Sequence, residues 1–376
     1  MKERETWVDF LRVTACLMVM VVHAAEPYYL GGDGTLVRTA SDGIWAALLD
    51  SLVRSCVPLF IIASSYLQFP VHYPAREFFK RRAVRILVPL AVWSVVYALA
   101  WGNPGENFAG LLQNFNYSAG HLWFVYMIVG LYLVMPLLSP WAEKVGRREL
   151  SIYLLLWLLT TTIPFLRIWL GGSEPPFIAG PTGIPAPARY PLWGEASWNA
   201  NGTFYYVSGL AGYLLVGLYF RRFAGEWSRL KSLLTGLGCF VAGFAITFGC
   251  FVRRMLQSAG GVFPFEGPVS VAAVWETSWM FDSTGVALMA VGLIVLFRRI
   301  TACGAFYRRI ILPVSKAGYG MYLMHMLFLS AFSALYMPLL CTPLAILCTA
   351  ASSYVCSAAA SVLIQRIPLI GKFIAG

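Results

Sequence analysis

Apolar stretches of roughly 18–25 residues recur along this chain of 376 residues, each long enough to cross a ~30 Å hydrocarbon layer as a helix. That repetition constrains the fold more than any other feature. Composition agrees with it. Hydrophobic residues make up 59% of the chain and charged residues 12%, a charge fraction about half that of soluble domains. Mean hydropathy is +0.69. Ten candidate spans can be drawn, at about 8–25, 45–68, 84–101, 121–141, 150–170, 203–220, 233–252, 275–297, 312–336 and 340–365. The expected fold class is therefore an all-α polytopic membrane protein of about ten transmembrane helices. No internal repeat, low-complexity tract or soluble domain interrupts it, so residues 1–376 read as a single transmembrane domain with no appended soluble domain.

The net charge of +11 would suggest nucleic acid in a soluble protein. Here the basic residues sit in short loops, and alternate loops carry nearly all of them. One side holds Arg76, Lys80, Arg81, Arg82 and Arg85, then Lys144, Arg147 and Arg148. It continues with Arg221, Arg222, Arg229 and Lys231, then Arg298, Arg299, Arg308, Arg309 and Lys316. The other side holds only Arg38, Arg167, Arg189, Arg253 and Arg254. Positive charge accumulates on the cytoplasmic side of a membrane protein. The asymmetry predicts both termini in the cytoplasm, contact with anionic lipid or a phosphorylated ligand, and no nucleic-acid partner. The start of the chain superficially resembles a signal peptide, but Asp9 and Arg12 interrupt the apolar run and many spans follow. The eight cysteines are scattered without a CxxC pair and read as small buried residues, not disulfides or metal ligands.

The first span, Val8–Ala25, contains both Arg12 and His23. An arginine near the centre of a membrane helix costs ~2.5–3.5 kcal/mol on insertion scales. Two ionisable groups in one span need partners, a cavity or a task. Eleven residues separate them, about three turns, so they share a helix face roughly 16 Å apart along the axis.

These residues open an ordered series of motifs. Asp9-Phe10-Leu11-Arg12, ten residues and then His23 are followed by Val57-Pro58-Leu59-Phe60 through Ser64-Ser65-Tyr66-Leu67. Phe78-Phe79-Lys80-Arg81-Arg82 with Arg85 and Pro89 comes next, then His121-Leu122-Trp123-Phe124 with Tyr126. Ser315 through Gly320, Tyr322 and His325 complete the set. In this order they resemble the membrane-bound acyltransferase-3 family, bacterial integral-membrane enzymes that acylate, usually acetylate, carbohydrates of the cell envelope. The resemblance covers about 1–140 and 310–330; the middle is matched by hydropathy alone. One position departs: Ser65 stands where the family usually has Gly, which bears on local helix packing. The hydrolase-like domain appended in some relatives is not expected here.

The residues themselves support chemistry of this kind. Acyl transfer to a hydroxyl needs a base near the attacking oxygen, and an imidazole titrates near neutrality. His23, at the outer end of its span, is the candidate base or acyl carrier. The competing reading is a packing histidine bonded to a carbonyl. Glu26, one turn on, could orient that imidazole as the third member of a triad does, although Pro27 threatens to end the helix there. The resemblance assigns Arg12 to an acyl-CoA donor, where a guanidinium suits phosphate or carbonyl oxygens; the alternative is an ion pair with Asp9. Arg54, inside the second span, has a similar but thinner case. Arg81, Arg82 and Arg85 form a cationic patch suited to the phosphates of CoA, or simply a topology signal. His121, Trp123, Tyr126, Tyr322 and His325 are candidate substrate-channel residues, or structural ones. No metal-ligand spacing is visible. Glu276 and Asp282 are further ionisable groups without an evident partner. The segment 171–202, with Tyr190, Trp193 and Trp198, is expected to face outward, as a cap or a sugar-stacking surface.

The expected function is a membrane O-acyltransferase, specifically an O-acetyltransferase, of the bacterial cytoplasmic (inner) membrane. Acetyl-CoA from the cytoplasm is the donor and no metal is needed. The acceptor is a sugar hydroxyl of an envelope polysaccharide or a lipid-linked glycan. Two alternatives stay open: a glycan or lipid transporter without acyl transfer, and an acyltransferase using succinyl or longer donors. The lack of inverted repeats weighs against the transporter.

Overall fold

The computed structural model describes residues 5–31, 34–169, 204, 207–225, 227–271, 278–301, 303–368 and 371–376. The segment 171–202 with its aromatic residues, and Glu276, lie outside them.

Fifteen helices run through the described residues. The first nine are α1 (Thr6–Ala25), α2 (Ala40–Val53), α3 (Cys56–Gln68), α4 (Ala75–Arg82), α5 (Val88–Ala100), α6 (Pro104–Leu111), α7 (Trp123–Lys144), α8 (Arg147–Thr160) and α9 (Ile163–Trp169). The others are α10 (Gly212–Arg222), α11 (Arg229–Ser258), α12 (Thr284–Phe297), α13 (Leu312–Tyr336), α14 (Thr342–Gln365) and α15 (Gly371–Ile374). Eight helical segments are long and apolar enough to cross a membrane among the described residues. They are Thr6–Tyr28, Ala40–Gln68, Ala75–Ala100, Gly120–Lys144, Arg147–Leu166, Arg229–Ser258, Tyr307–Tyr336 and Thr342–Gln365. Each overlaps one of the ten expected spans. The remaining two expected spans fall on α10 and on α12, a shorter apolar helix. The chain is a multi-pass, all-α membrane protein.

Prolines decide where these spans break. Pro58 cannot donate to the carbonyl of Arg54, and the helix Ala40–Gln68 is interrupted at Arg54 and Ser55. Pro89 and Pro313 act likewise on Arg85 and Arg309. There the chain absorbs the lost bond by widening into π-helical turns, Ala83–Leu87 and Tyr307–Ile311. The Tyr319 hydroxyl donates to the Ile86 carbonyl, 2.9 Å away, inside the first of these turns.

α1 lies at the centre, packed on α2, α3, α12, α13 and α14. Apolar residues around its circumference are therefore buried against protein, among them Leu11, Ala15, Met20 and Ala25. α11 is the opposite case. Leu230, Leu234 and Val241 remain exposed on its outer face, where the surroundings are lipid. Its other face meets α12 through glycines. A Cβ on Gly243 would stand 2.3 Å from the Gly285 carbonyl oxygen, and one on Gly292 would stand 2.6 Å from that of Gly236. Small residues let membrane helices approach closely where no hydrophobic effect drives them together.

The Ser65 position shows how the departure from the family pattern is accommodated. Its hydroxyl donates to the Leu214 carbonyl at 2.6 Å, joining α3 to α10. The room comes from the partner helix, since a Cβ on Gly217 would lie 2.6 Å from the Ser65 Cβ.

A small antiparallel sheet, unexpected from sequence, folds over one end of α1. β1 (Leu30–Gly31), β2 (Gly34–Val37) and β3 (Val269–Ser270) pair in the order β1-β2-β3. Thr35 faces Leu30, and Val37 faces Val269. The sheet ties the segment leaving α1 to the one that approaches α12.

Candidate active site

Pro27 does not spoil the geometry of Glu26. α1 ends at Ala25, and the chain continues in a 3-10 turn, Glu26–Tyr28, with Glu26 still in helical conformation. The i,i+3 relation survives, and His23 Nδ1 lies 2.8 Å from Glu26 Oε1. Both side chains keep about a fifth of their surface exposed. The carboxylate can only accept, so Nδ1 carries the hydrogen, and in the neutral ring Nε2 presents a lone pair.

The fold brings two more histidines to this end of α1, from elements far apart in sequence. His325 lies on α13, its ring centroid 5.1 Å from that of His23. His121 stands in the 3-10 turn Gly120–Leu122 before α7, 5.1 Å from His325. Both are buried. Aromatic residues wall the group. Tyr97 meets His121 edge-on at 4.9 Å, and Tyr322 packs against Phe124 at 5.3 Å and His325 at 5.6 Å. The Tyr322 hydroxyl donates to the His121 carbonyl, joining α13 to the start of α7.

The other aromatic candidates divide. Trp123 stacks on Phe281 at 5.7 Å. Tyr126 is exposed, and its hydroxyl accepts the Phe115 amide at 3.0 Å, fastening the loop before α7.

Arg54 is fully buried and engaged. Its Nη1 lies 3.2 Å from Asp50 Oδ1, and its Nε donates to the Trp279 carbonyl at 3.0 Å. Its guanidinium also lies 5.0 Å from the Trp279 ring and 5.2 Å from the Phe281 ring. Trp279 in turn donates to Ser51 and stacks on Phe251. Trp279 also meets Tyr29, three residues after Glu26, edge-on at 5.0 Å, so the Asp50–Arg54 pair belongs to the His23 end of the bundle. Asp50 escaped the sequence reading, although an acid four residues before Arg54 in an apolar run was a visible signal.

At the other end of α1, Asp9 is held by two hydroxyls. Tyr307 donates to Oδ2 at 2.7 Å and Ser315 to Oδ1 at 2.6 Å. The opening and closing motifs of the series thereby meet in space. The Arg12 guanidinium makes no hydrogen bond or ion pair among the described residues. In the basic patch, Arg81 pairs with Glu77 and lies over Tyr73, while Arg82 lies over Phe78 and Tyr132. Arg85, exposed on its π turn, makes none of these contacts. Among the described residues, no three His, Cys, Asp or Glu side chains are placed to hold a metal ion.

The architecture and the motif order therefore converge with one comparison. A family model described as an acyltransferase domain, acyltransferase family 3, matches residues 5–362. The chain belongs to that family. No curated protein and no solved structure matches it. The match covers nearly the whole of this membrane acyltransferase, including the middle, where sequence motifs gave out. It makes acyl transfer the chemistry against which the histidines and arginines are to be judged.

Proposed function

We propose that this acyltransferase moves an acetyl group from cytoplasmic acetyl-CoA to a sugar hydroxyl of an envelope polysaccharide or lipid-linked glycan. The observation that carries the reading is the His23–Glu26 pair, a carboxylate-oriented imidazole at the end of the central helix. Glu26 fixes the tautomer and stabilises the imidazolium that forms. Nε2 is then free to take the proton of the acceptor hydroxyl as its oxygen attacks the thioester carbonyl. The C–S bond breaks, and the departing CoA thiolate takes up the proton from His23. In a two-step variant, Nε2 attacks first and carries the acetyl group until the sugar oxygen displaces it.

Donor binding falls to the opposite end of α1. Arg85, with Arg81 and Arg82 beside it, suits the phosphates of CoA. Arg12, which makes no hydrogen bond or ion pair among the described residues, suits an oxygen of the donor farther in. Arg54, occupied by Asp50, anchors the His23 end instead. Tyr322, Trp123, His121 and His325 line the approach of the acceptor.

The test is incubation of membranes carrying the protein with labelled acetyl-CoA, followed by analysis of extracted glycans for ester-linked label. Label that appears with the wild-type chain and is absent with His23→Asn supports the reading. Glycan flux across the membrane without CoA consumption would replace it with transport.

A further inference from the structure

The His325 ring is the most completely buried imidazole in the cluster, and the chemistry described so far does not use it. Its Nδ1 is bonded to the carbonyl of Tyr322, three residues back on its own helix. A carbonyl accepts only, so the hydrogen resides on Nδ1 and Nε2 is a bare acceptor. Among the described residues that nitrogen has no hydrogen-bond partner, and neither has Nε2 of the neighbouring, also buried His121. Buried polar atoms are nearly always paired, and each exception calls for an explanation. Here two exceptions lie side by side, one of them against the proposed base.

We infer that His325, with His121 behind it, selects the acceptor by taking a hydrogen bond from a second hydroxyl beside the one that His23 deprotonates. The inference rests on the acyl-transfer reading and assigns its acceptor preference to a residue: His325 favours a polyol with neighbouring hydroxyls over a simple alcohol. The 5.1 Å between the His23 and His325 ring centres is a spacing that two adjacent hydroxyls of one sugar can bridge. The bare His325 nitrogen accepts but does not donate, which suits a hydroxyl hydrogen and not a carbonyl or phosphate oxygen. A site built to bond a hydroxyl discriminates strongly against an analogue lacking it, because the buried acceptor is then left unpaired. His325 is thus a specificity residue, distinct in role from the base.

The chain has four histidines, so the full-length protein labelled with 15N-histidine in nanodiscs gives an imidazole spectrum simple enough to assign with His325→Gln and His121→Gln. Glycerol and 1-propanol serve as probes. They share a primary hydroxyl and differ in the donors beside it. The His325 Nε2 signal should be that of an unprotonated nitrogen. It should move on titration with glycerol and stay in place with 1-propanol at equal concentration. A protonated Nε2, or a response that is nil or equal for the two probes, overturns the inference; an equal response would mean that water already satisfies the site. Transfer of label from acetyl-CoA supplies a second arm. The wild type should esterify glycerol over 1-propanol by about tenfold, which corresponds to about 1.4 kcal/mol, near the upper end of the net worth of one hydrogen bond. His325→Leu should abolish that preference, and His325→Gln, which keeps an acceptor near the same place, should restore part of it. A preference that persists in His325→Leu overturns the inference. Absence of labelled ester with a glycerol-selective His325 shift would sink the acyl-transfer reading while leaving the recognition intact.

Discussion

His23 and Glu26 are joined by one hydrogen bond, and their substitutions separate chemistry from packing. His23→Ala and His23→Asn should both reach the membrane at normal abundance and lose acyl transfer by roughly 10²–10⁴-fold, the loss typical of a general base. A packing histidine would tolerate Asn. Glu26→Gln should lose less, because an orienting group is secondary to the base. Initial rates of CoA release decide both cases, and near-normal turnover in a folded His23→Asn variant would remove His23 from the chemistry. Asp50 makes a different claim. With the carboxylate gone, the Arg54 guanidinium stays buried between Trp279 and Phe281 without its counter-charge. Asp50→Ala should therefore destabilise the protein by about 3–5 kcal/mol. The double variant Asp50→Leu with Arg54→Met should recover much of that loss. Thermal unfolding of the two proteins in the same detergent makes the comparison.

Elements fix where the cations stand. The π turn Ala83–Leu87, forced by Pro89, exposes Arg85 at the mouth of its helix, while Arg81 and Arg82 are drawn to Glu77 and to aromatic rings. Arg85→Ala should raise the KM for acetyl-CoA more than Arg81→Ala does, with kcat little changed, since phosphate contacts are made alike in ground and transition states. Equal effects, or none, would reduce the patch to a topology signal. The α11–α12 contact is the other test at this scale. Gly243→Val puts a branched side chain into the Gly285 backbone, 2.3 Å from the carbonyl oxygen even at Cβ, so the helices must separate. The variant should show a lower thermal midpoint than Gly249→Val, on the same helix, where a Cβ meets nothing within 4 Å. Matching midpoints would show that the close approach is dispensable.

Across the whole molecule, the charge distribution predicts a two-sided arrangement, with the basic patch on the cytoplasmic side and the histidine cluster toward the outside. On a cysteine-free background, Ser258→Cys at the end of α11 should react with an impermeant thiol reagent in intact cells. Lys144→Cys at the end of α7 should react only after the membrane is opened. The reverse pattern would invert the orientation and place the basic patch away from cytoplasmic CoA. The depth of the bundle also accounts for the central position of α1. A helix with a cation near one end and an imidazole near the other can serve both sides only if neighbours shield it from lipid, and α2, α3, α13 and α14 do so.

The membrane class, the approximate spans and the family were legible in the sequence, because apolar length and motif order are local properties that survive without a fold. Arg12, His23 and Glu26 were legible for the same reason: helical spacing relates them along one element. The breaks at Arg54 and at the π turns could have been read from Pro58, Pro89 and Pro313, whose missing amides act on carbonyls four residues away. Nothing local relates His23 to His121 and His325. They lie on three elements, and only the packing of α13 against α1 and of the start of α7 against α13 sets their rings 5.1 Å apart in sequence-distant pairs. The same holds for Arg54, whose sequence position suggested a ligand cation. Asp50 is local, one turn back along the chain, but tertiary structure gave Arg54 its contacts with Trp279 and Phe281, because a buried guanidinium is stable only where charge and ring faces converge on it.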